Sequence, residues 1–503
     1  MQLLEEYQKR KKIKVSDEDL FDMVSSDKDE AERYFDAHIA PSIIRRYELL
    51  HSNKQYYEKL FPKLTEASSF SATDVKDIVE WLMPSFTEVY FGADKIVGIF
   101  GRTPDDDPEV LEKVIQYQMQ TQNNGYVIID QWIRDAVEAG LGVTKLDWEI
   151  VEEKKLNWYQ ATAAEFYSIP VEIAEQSIKK VEALPDGTYK LLVRERVKTK
   201  DQPVLRNIKP GEYIFLPDED NSGRNVFECY RHYMLYDDIR RMGKTGAWKN
   251  TEDDFPFVDN EAGQTNSMDT VFDAIRNYEG EDDQRDSYLD VGSREGQEGR
   301  RRVIVYDCYG KYDVDGDGLL ENVHVIICNG RVLFVEIIEY ERNPFFTISF
   351  YANSYQKWKE GVADYLQDIQ DLKTALIRQI IINTAINNNR SFGVDINQPT
   401  AIEDIQSGKQ MIRVELSGHK SISDLLQAMP KYELSPETMP LIEIAGNWSE
   451  QRTGITKYNQ GLDSDSLNKT ATGITKIMAA SQQRTRKMAE MVLKMAWFLS
   501  TSI

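Results

Sequence analysis

Helical spacing governs the first sixty residues, where Tyr34, His38, Ile43, Tyr47 and Leu50 fall on one face and no alternating run interrupts them. This pattern predicts a helical N-terminal arm over residues 1–60. SATDVKDIVEWLMP predicts a further helix, with Ser71 or Thr73 as cap, Val75, Ile78, Val79 and Leu82 in one stripe and Pro84 near its end. PEVLEKVIQYQMQTQ predicts a second, and YVIIDQWIRDAVEAGLG a third that Gly140 and Gly142 stop. The period then falls to two. KLDWEI alternates Leu146, Trp148 and Ile150, and TYKLLVRERV alternates Tyr189, Leu191 and Val193 after a Pro185-Asp186-Gly187 turn. RRVIVYDCY and NVHVIIC flank an Asp/Gly loop as a hairpin, which RVLFVEIIEY extends. Residues 60–350 are therefore expected to form a mixed α/β body.

Past Pro344 the helical period returns. Residues 361–389 contain no Pro and no internal Gly, and they carry Leu366, Ile369, Leu372, Leu376 and Ile380 at helical steps. At about 1.5 Å per residue such a helix is a strut of about 43 Å. Strand alternation at Ile412, Val414 and Leu416 comes next, then a helix over residues 440–453 with Leu441, Ala445, Trp448 and Arg452 on one line. The loop GITKYNQGLDSDS leads into a last helix marked by Leu467, Ala471, Ile474, Met478, Met488, Val492, Met495 and Leu499. The fold class read from this order is α+β.

Length and charge narrow the function. At 503 residues the chain exceeds the roughly 250–300 that one core serves, and 41% hydrophobic residues suffice for packed cores. It has no apolar run of membrane-spanning length, and MQLLEEYQKRKKIK lacks a secretory signal, so a cytoplasmic site of synthesis and no membrane are expected. Cys229, Cys308 and Cys328 form no CxxC pair and read as reduced, buried thiols. The net charge of −23 opposes tight, nonspecific binding to phosphates. Residues 251–300 hold 15 acids against four arginines and read as a solvated insertion. Residues 467–503 are the reverse, with six basic groups against Glu490, a net of +5 where the rest of the chain carries −28.

The motifs argue against catalysis. Gly243, Lys244 and Thr245 resemble the tail of a phosphate-binding loop, but Asp238 stands where its first glycine belongs and no apolar strand precedes it, so a turn is expected. Asp313, Asp315 and Asp317, with Gly318 sixth, match the first half of a calcium loop. His324 stands where that loop needs a bidentate Glu, and strands flank it, so a structural Asp/Gly turn is the first reading and bound Ca2+ the alternative. Five scattered histidines and no nucleophile–base pair leave no catalytic constellation, and no other cofactor is expected. The acids Asp105, Asp106 and Asp107 read as solvated loop charge.

In their order, several segments resemble the portal (connector) proteins of tailed bacteriophages, in particular the short-tailed branch, over about residues 70–503. They are Val79-Glu80-Trp81-Leu82-Met83-Pro84, Asp105-Asp106-Asp107-Pro108, Gly140-Leu141-Gly142-Val143-Thr144-Lys145, Asp315-Gly316-Asp317-Gly318 and Asp368-Ile369-Gln370-Asp371-Leu372. Arg452-Thr453-Gly454-Ile455-Thr456, Gly461-Leu462-Asp463 and Thr470-Ala471-Thr472-Gly473-Ile474 complete the series. The resemblance implies a wing over 61–355, a first stem helix over 356–389, a clip over 390–432 and a second stem helix over 433–453. It further implies a tunnel loop over 454–466 and a helix over 467–503 returning toward the wing, with any crown absent or much reduced.

The resemblance also implies a non-enzymatic, twelve-membered ring at the capsid portal vertex of the virion, built in the host cytoplasm, through which DNA is packaged, retained and ejected. Implied partners are double-stranded DNA, the large terminase subunit that supplies ATP hydrolysis, head-tail adaptor and tail proteins, and the major capsid and scaffolding proteins. Twelve copies at −23 carry −276 formal charges. An acidic wall repels DNA over a Debye length of about 8 Å and lets it slide without sticking. Lys457, Tyr458, Asn459 and Gln460 at the tunnel-loop tip, with Lys469 and Lys476 beyond it, are the DNA-channel candidates. A head-to-tail adaptor ring and a calcium-binding enzyme are the rival readings.

Overall fold

A computed structural model describes residues 13–66, 68–91, 98, 107–162, 164, 178–186, 188–217, 226–251, 267–276, 302–338, 343–351, 357–388, 392–394, 397–407, 412–415, 418, 421–422, 426–428 and 435–455. Helix α1 (Asp17–Tyr34) starts where the Ser16 hydroxyl accepts the Asp19 N–H at 3.1 Å, and Asp17, Glu18 and Asp19 suit the positive end of its dipole. It continues through a π turn at Phe35–Ile39 into α2 (Ala40–Leu50), which buries Ile43, Tyr47, Leu49 and Leu50. The short helix α3 (Lys54–Leu60) ends the arm, which is helical over the described part of the predicted 1–60 while residues 1–12 lie outside the described residues, and α4 (Pro62–Thr65) follows it.

Helix α5 (Asp74–Phe91) passes through Pro84 instead of ending there. Phe86 beyond it is fully buried, and that packing outweighs the lost backbone bond. Helix α6 (Pro108–Tyr117) and a π turn (Gln118–Gln122) lead to α7 (Gly125–Ala139). Two glycines turn the chain sharply out of α7. Gly140 has φ +90°, and a Cβ there would lie 2.1 Å from the Lys359 carbonyl oxygen; a Cβ at Gly142 would lie 2.1 Å from that of Trp132.

Strands β1 (Gly142–Thr162) and β3 (Thr188–Ile208) pair antiparallel from Val143↔Ile208 to Thr162↔Thr188. Between them in the chain lies β2 (Ile178–Ala183), and β9 (Phe345–Ile348) completes the sheet in the order β2-β3-β1-β9. At about 3.3 Å per residue the β1/β3 ribbon is about 70 Å long. The sequence pattern predicts only short strands here. Because Glu152-Glu153-Lys154-Lys155 interrupts the alternation, the pattern stops where the strand does not.

A second antiparallel sheet runs β4-β5-β6-β7-β8, from β4 (Tyr213–Phe215) and β5 (Phe227–Leu235) to β6 (Arg302–Tyr312), β7 (Glu321–Cys328) and β8 (Arg331–Ile337). The 302–337 meander follows the predicted order. One large core joins this sheet to α1, α2, α5 and α7, and a smaller one forms under α8 (Tyr236–Lys244) around Ile239, Val305 and Leu333. Cys229, Cys308 and Cys328 are all buried and free.

Three expectations need correction. Gly243 and Lys244 are the last turn of α8 rather than a loop turn, because Tyr236 and Ile239 anchor that segment as a helix. Within the supposedly solvated 251–300, α9 (Ser267–Arg276) buries Met268, Val271 and Phe272 and packs on α2, so its apolar side outweighs the charge around it. Residues 412–415 form no strand. The short pairing in that region joins β10 (Phe392–Val394) to β11 (Leu426–Ala428), with α11 (Pro399–Gln406) between them.

Candidate functional site

The long helix α10 (Val362–Asn388) starts where Asp364 accepts the Gly361 N–H at 2.8 Å, and the same carboxylate receives Arg46 Nε at 2.6 Å and Arg45 at 2.9 Å. Its first half packs on the body through Val362, Ala363, Leu366 and Ile369, and its second half leaves the body, with Ile381 and Ile386 exposed.

The transition is made by polar residues. Gln370, Thr374 and Arg378, spaced i, i+4, i+8, are all fully buried on one face. Gln370 accepts the Val75 N–H at 2.9 Å and donates to the Leu49 carbonyl at 2.9 Å and the Tyr57 hydroxyl at 3.0 Å. Thr374 accepts the Ala72 N–H at 3.1 Å. Arg378 donates to the Phe70 carbonyl and to Thr65, with its guanidinium 5.3 Å from the Tyr57 ring. Each rung satisfies a loop or helix-end backbone group that would otherwise be buried without a partner.

Helix α12 (Thr438–Thr453) lies antiparallel to α10, since Arg452 near its end donates to the Tyr365 carbonyl at 2.8 Å and pairs with Asp368 at 3.2 Å. Ala445, Ser449 and Thr453 face inward, whereas Met439, Leu441, Ile444 and Trp448 are exposed. The two helices thus follow the predicted 361–389 and 440–453. The segment between them is tied by Asp404, which is fully buried and accepts Arg413 through both oxygens at 2.8 and 2.9 Å. Gly454, with φ +78°, ends α12. The channel candidates Lys457, Tyr458, Asn459, Gln460, Lys469 and Lys476 lie outside the described residues.

A model of the family described as Phage SU10 portal protein matches residues 20–496. The chain belongs to that family. The Phage SU10 portal family is a family of structural proteins of the phage particle, and the match takes in the helical arm from residue 20 onward, both large sheets and both long helices. No helix among the described residues is long and apolar enough to cross a membrane.

Elsewhere in this portal protein, Asp313, Asp315 and Asp317 come together with ligand oxygens within 4.8 Å of one another, in the loop between β6 and β7. Their carboxylates also close the loop themselves: Asp313 accepts Gly316 and Gly318 N–H at 2.7 and 3.0 Å, Asp315 that of Asp317, and Asp317 that of Leu319. Glu321 is taken by the Val314 N–H at 3.0 Å. His324, the other residue considered to complete a cation site, instead pairs with Asp307 and stacks on Tyr309.

That Asp307 joins the two sheets, and composition gave no hint of it. Burial works to raise its pKa, but the Lys145 ammonium from β1 and the His324 ring outweigh burial and hold the carboxyl well below its ordinary range. On α7 the opposite holds. Burial pushes Asp135 up to about 8, Gln131 donating to it at 2.7 Å, and burial pushes Glu138 up to about 7. These groups sit on helix and strand positions that sequence spacing reads as ordinary surface charge.

Proposed function

We propose that this portal-family chain closes into a cyclic ring at one capsid vertex, through which double-stranded DNA is packaged, held and released. The observation that carries the reading is the antiparallel α10/α12 pair, anchored to the body at one end and exposing Ile381, Ile386, Met439, Leu441, Ile444 and Trp448, in a chain matched to a portal family over residues 20–496. Apolar helix faces that a single copy leaves in water are satisfied by identical neighbours in a closed assembly.

In this reading the body is the wing, α10 and α12 are the stem, and 390–432 is the clip that docks the large terminase subunit during packaging and adaptor or tail proteins afterwards. Capsid and scaffolding proteins surround the wing. Electron microscopy and native mass spectrometry of the purified chain test this. A ring with an axial hole is expected, of about 700 kDa for twelve copies of 58.1 kDa. A stable monomer at micromolar concentration across several salt conditions rejects it.

A further inference from the structure

The β1/β3 ribbon leaves the body after its first few rungs. Val143, Thr144, Lys145, Leu205 and Ile208 are buried at its base, but farther out most of its side chains are exposed or half-buried. The register shift between Val151 and Glu152 skips Thr199 of β3, so β1 keeps its own alternation, and its even positions share one face. Trp148, Ile150, Leu156 and Trp158 all lie on that face and are 44 to 64% exposed. Ribbons of two or three strands are marginal in water without a covering layer, so a face of two tryptophans and two aliphatic residues is built to be covered.

Charge identifies the cover. Residues 142–208 balance at eleven basic and eleven acidic groups, but β3, which borders β1 along its length, carries six basic against two acidic residues, a net of +4 in a chain of −23. A basic strand beside an aromatic face is electrostatically complementary to an acidic neighbouring copy. One described body helix offers a matching apolar face. On α6, Val110, Leu111, Val114 and Tyr117 are 45 to 55% exposed at helical spacing, with Asp107 and Glu109 exposed at its start. The arm face and the α6 face differ from each other, which makes the contact heterologous, the kind that generates rings.

We infer that the Trp148-Ile150-Leu156-Trp158 face of one copy docks on the α6 face of the next copy in the assembly. This rests on the ring reading above and adds the interlocking surface to it. The test compares the full-length parent with the variant Trp148→Ser/Ile150→Thr/Leu156→Thr/Trp158→Ser by native mass spectrometry over a concentration series. Two buried tryptophans are typical anchors of an interface, so the variant is expected to need about ten-fold or more protein to reach half assembly, with the thermal midpoint of the unassembled chain unchanged.

Rings forming at the parent's concentration overturn the arm contact and leave the ring reading standing, whereas a parent that never assembles overturns both. A photoreactive benzoylphenylalanine at Leu156 in the otherwise parent chain gives a second readout that does not depend on the variant folding. Illumination is expected to yield covalent dimers joined through residues 108–117. Crosslinks confined to one chain, to another region of the neighbour, or to added duplex DNA overturn the inference.

Discussion

Asp135 shows how much a single buried carboxyl bears on stability. Its folded-state pKa of about 8 lies far above the roughly 3.9 of an unfolded Asp. Between those values the folded chain holds a proton that the unfolded chain has lost, so stability falls as pH rises from about 4 to about 8. Glu138, raised to about 7, adds to the same trend. Thermal melts from pH 5 to pH 8 are expected to show a falling midpoint, and Asp135→Asn should remove a contribution on the order of a few kcal/mol from that slope. Equal slopes in parent and variant would show that Asp135 ionises without penalty. Helical spacing alone does not mark this site, because an acid on a helix is assigned to water until α2 is seen to pack on α7 beside it.

At the scale of elements, pattern length decided what could be read. Helix α10 runs over Val362–Asn388, within a residue of its predicted span at either end, because twenty-seven residues free of Pro and Gly permit little else. The ribbon was hidden by the run of charged residues that interrupts its alternation, and α9 by the acids that flank its three buried apolar residues. The family's segment order was legible, but the polar face of α10 was not, since Gln370, Thr374 and Arg378 look like solvent-facing positions. Two predictions belong here. Asp313, Asp315 and Asp317 cap their own loop, so changing all three to Asn should cost less than about 2 kcal/mol, with melting curves alike in calcium and in chelator; a calcium-dependent rise in the parent alone would assign a cation to the loop. Deleting 395–425 and joining the ends through an Asn-Gly turn removes α11 but lets β10 and β11 pair. Ring formation should persist while binding of the large terminase subunit is lost, and retained binding would move the docking surface elsewhere.

For the whole molecule, the separation of charge is the governing feature: a chain of −23 whose residues 467–503 carry +5. In the proposed channel, replacing Lys457, Lys469 and Lys476 with Gln is expected to preserve rings and to impair DNA packaging or retention in each intact ring, because that reading assigns these lysines the transient phosphate contacts of an otherwise acidic chain. Rings that fall apart, with packaging per surviving ring unchanged, would make these lysines braces between copies. The Gln370-Thr374-Arg378 ladder bears on how such an assembly carries load. Sliding α10 by one turn, about 5.4 Å, would strand the Val75 and Ala72 amides and the Phe70 carbonyl together, each a buried group with a directional demand. An oil-like seam could creep under sustained pressure, but this joint is pinned at three points along the helix. Push along the strut therefore arrives in the body as load, not as slippage.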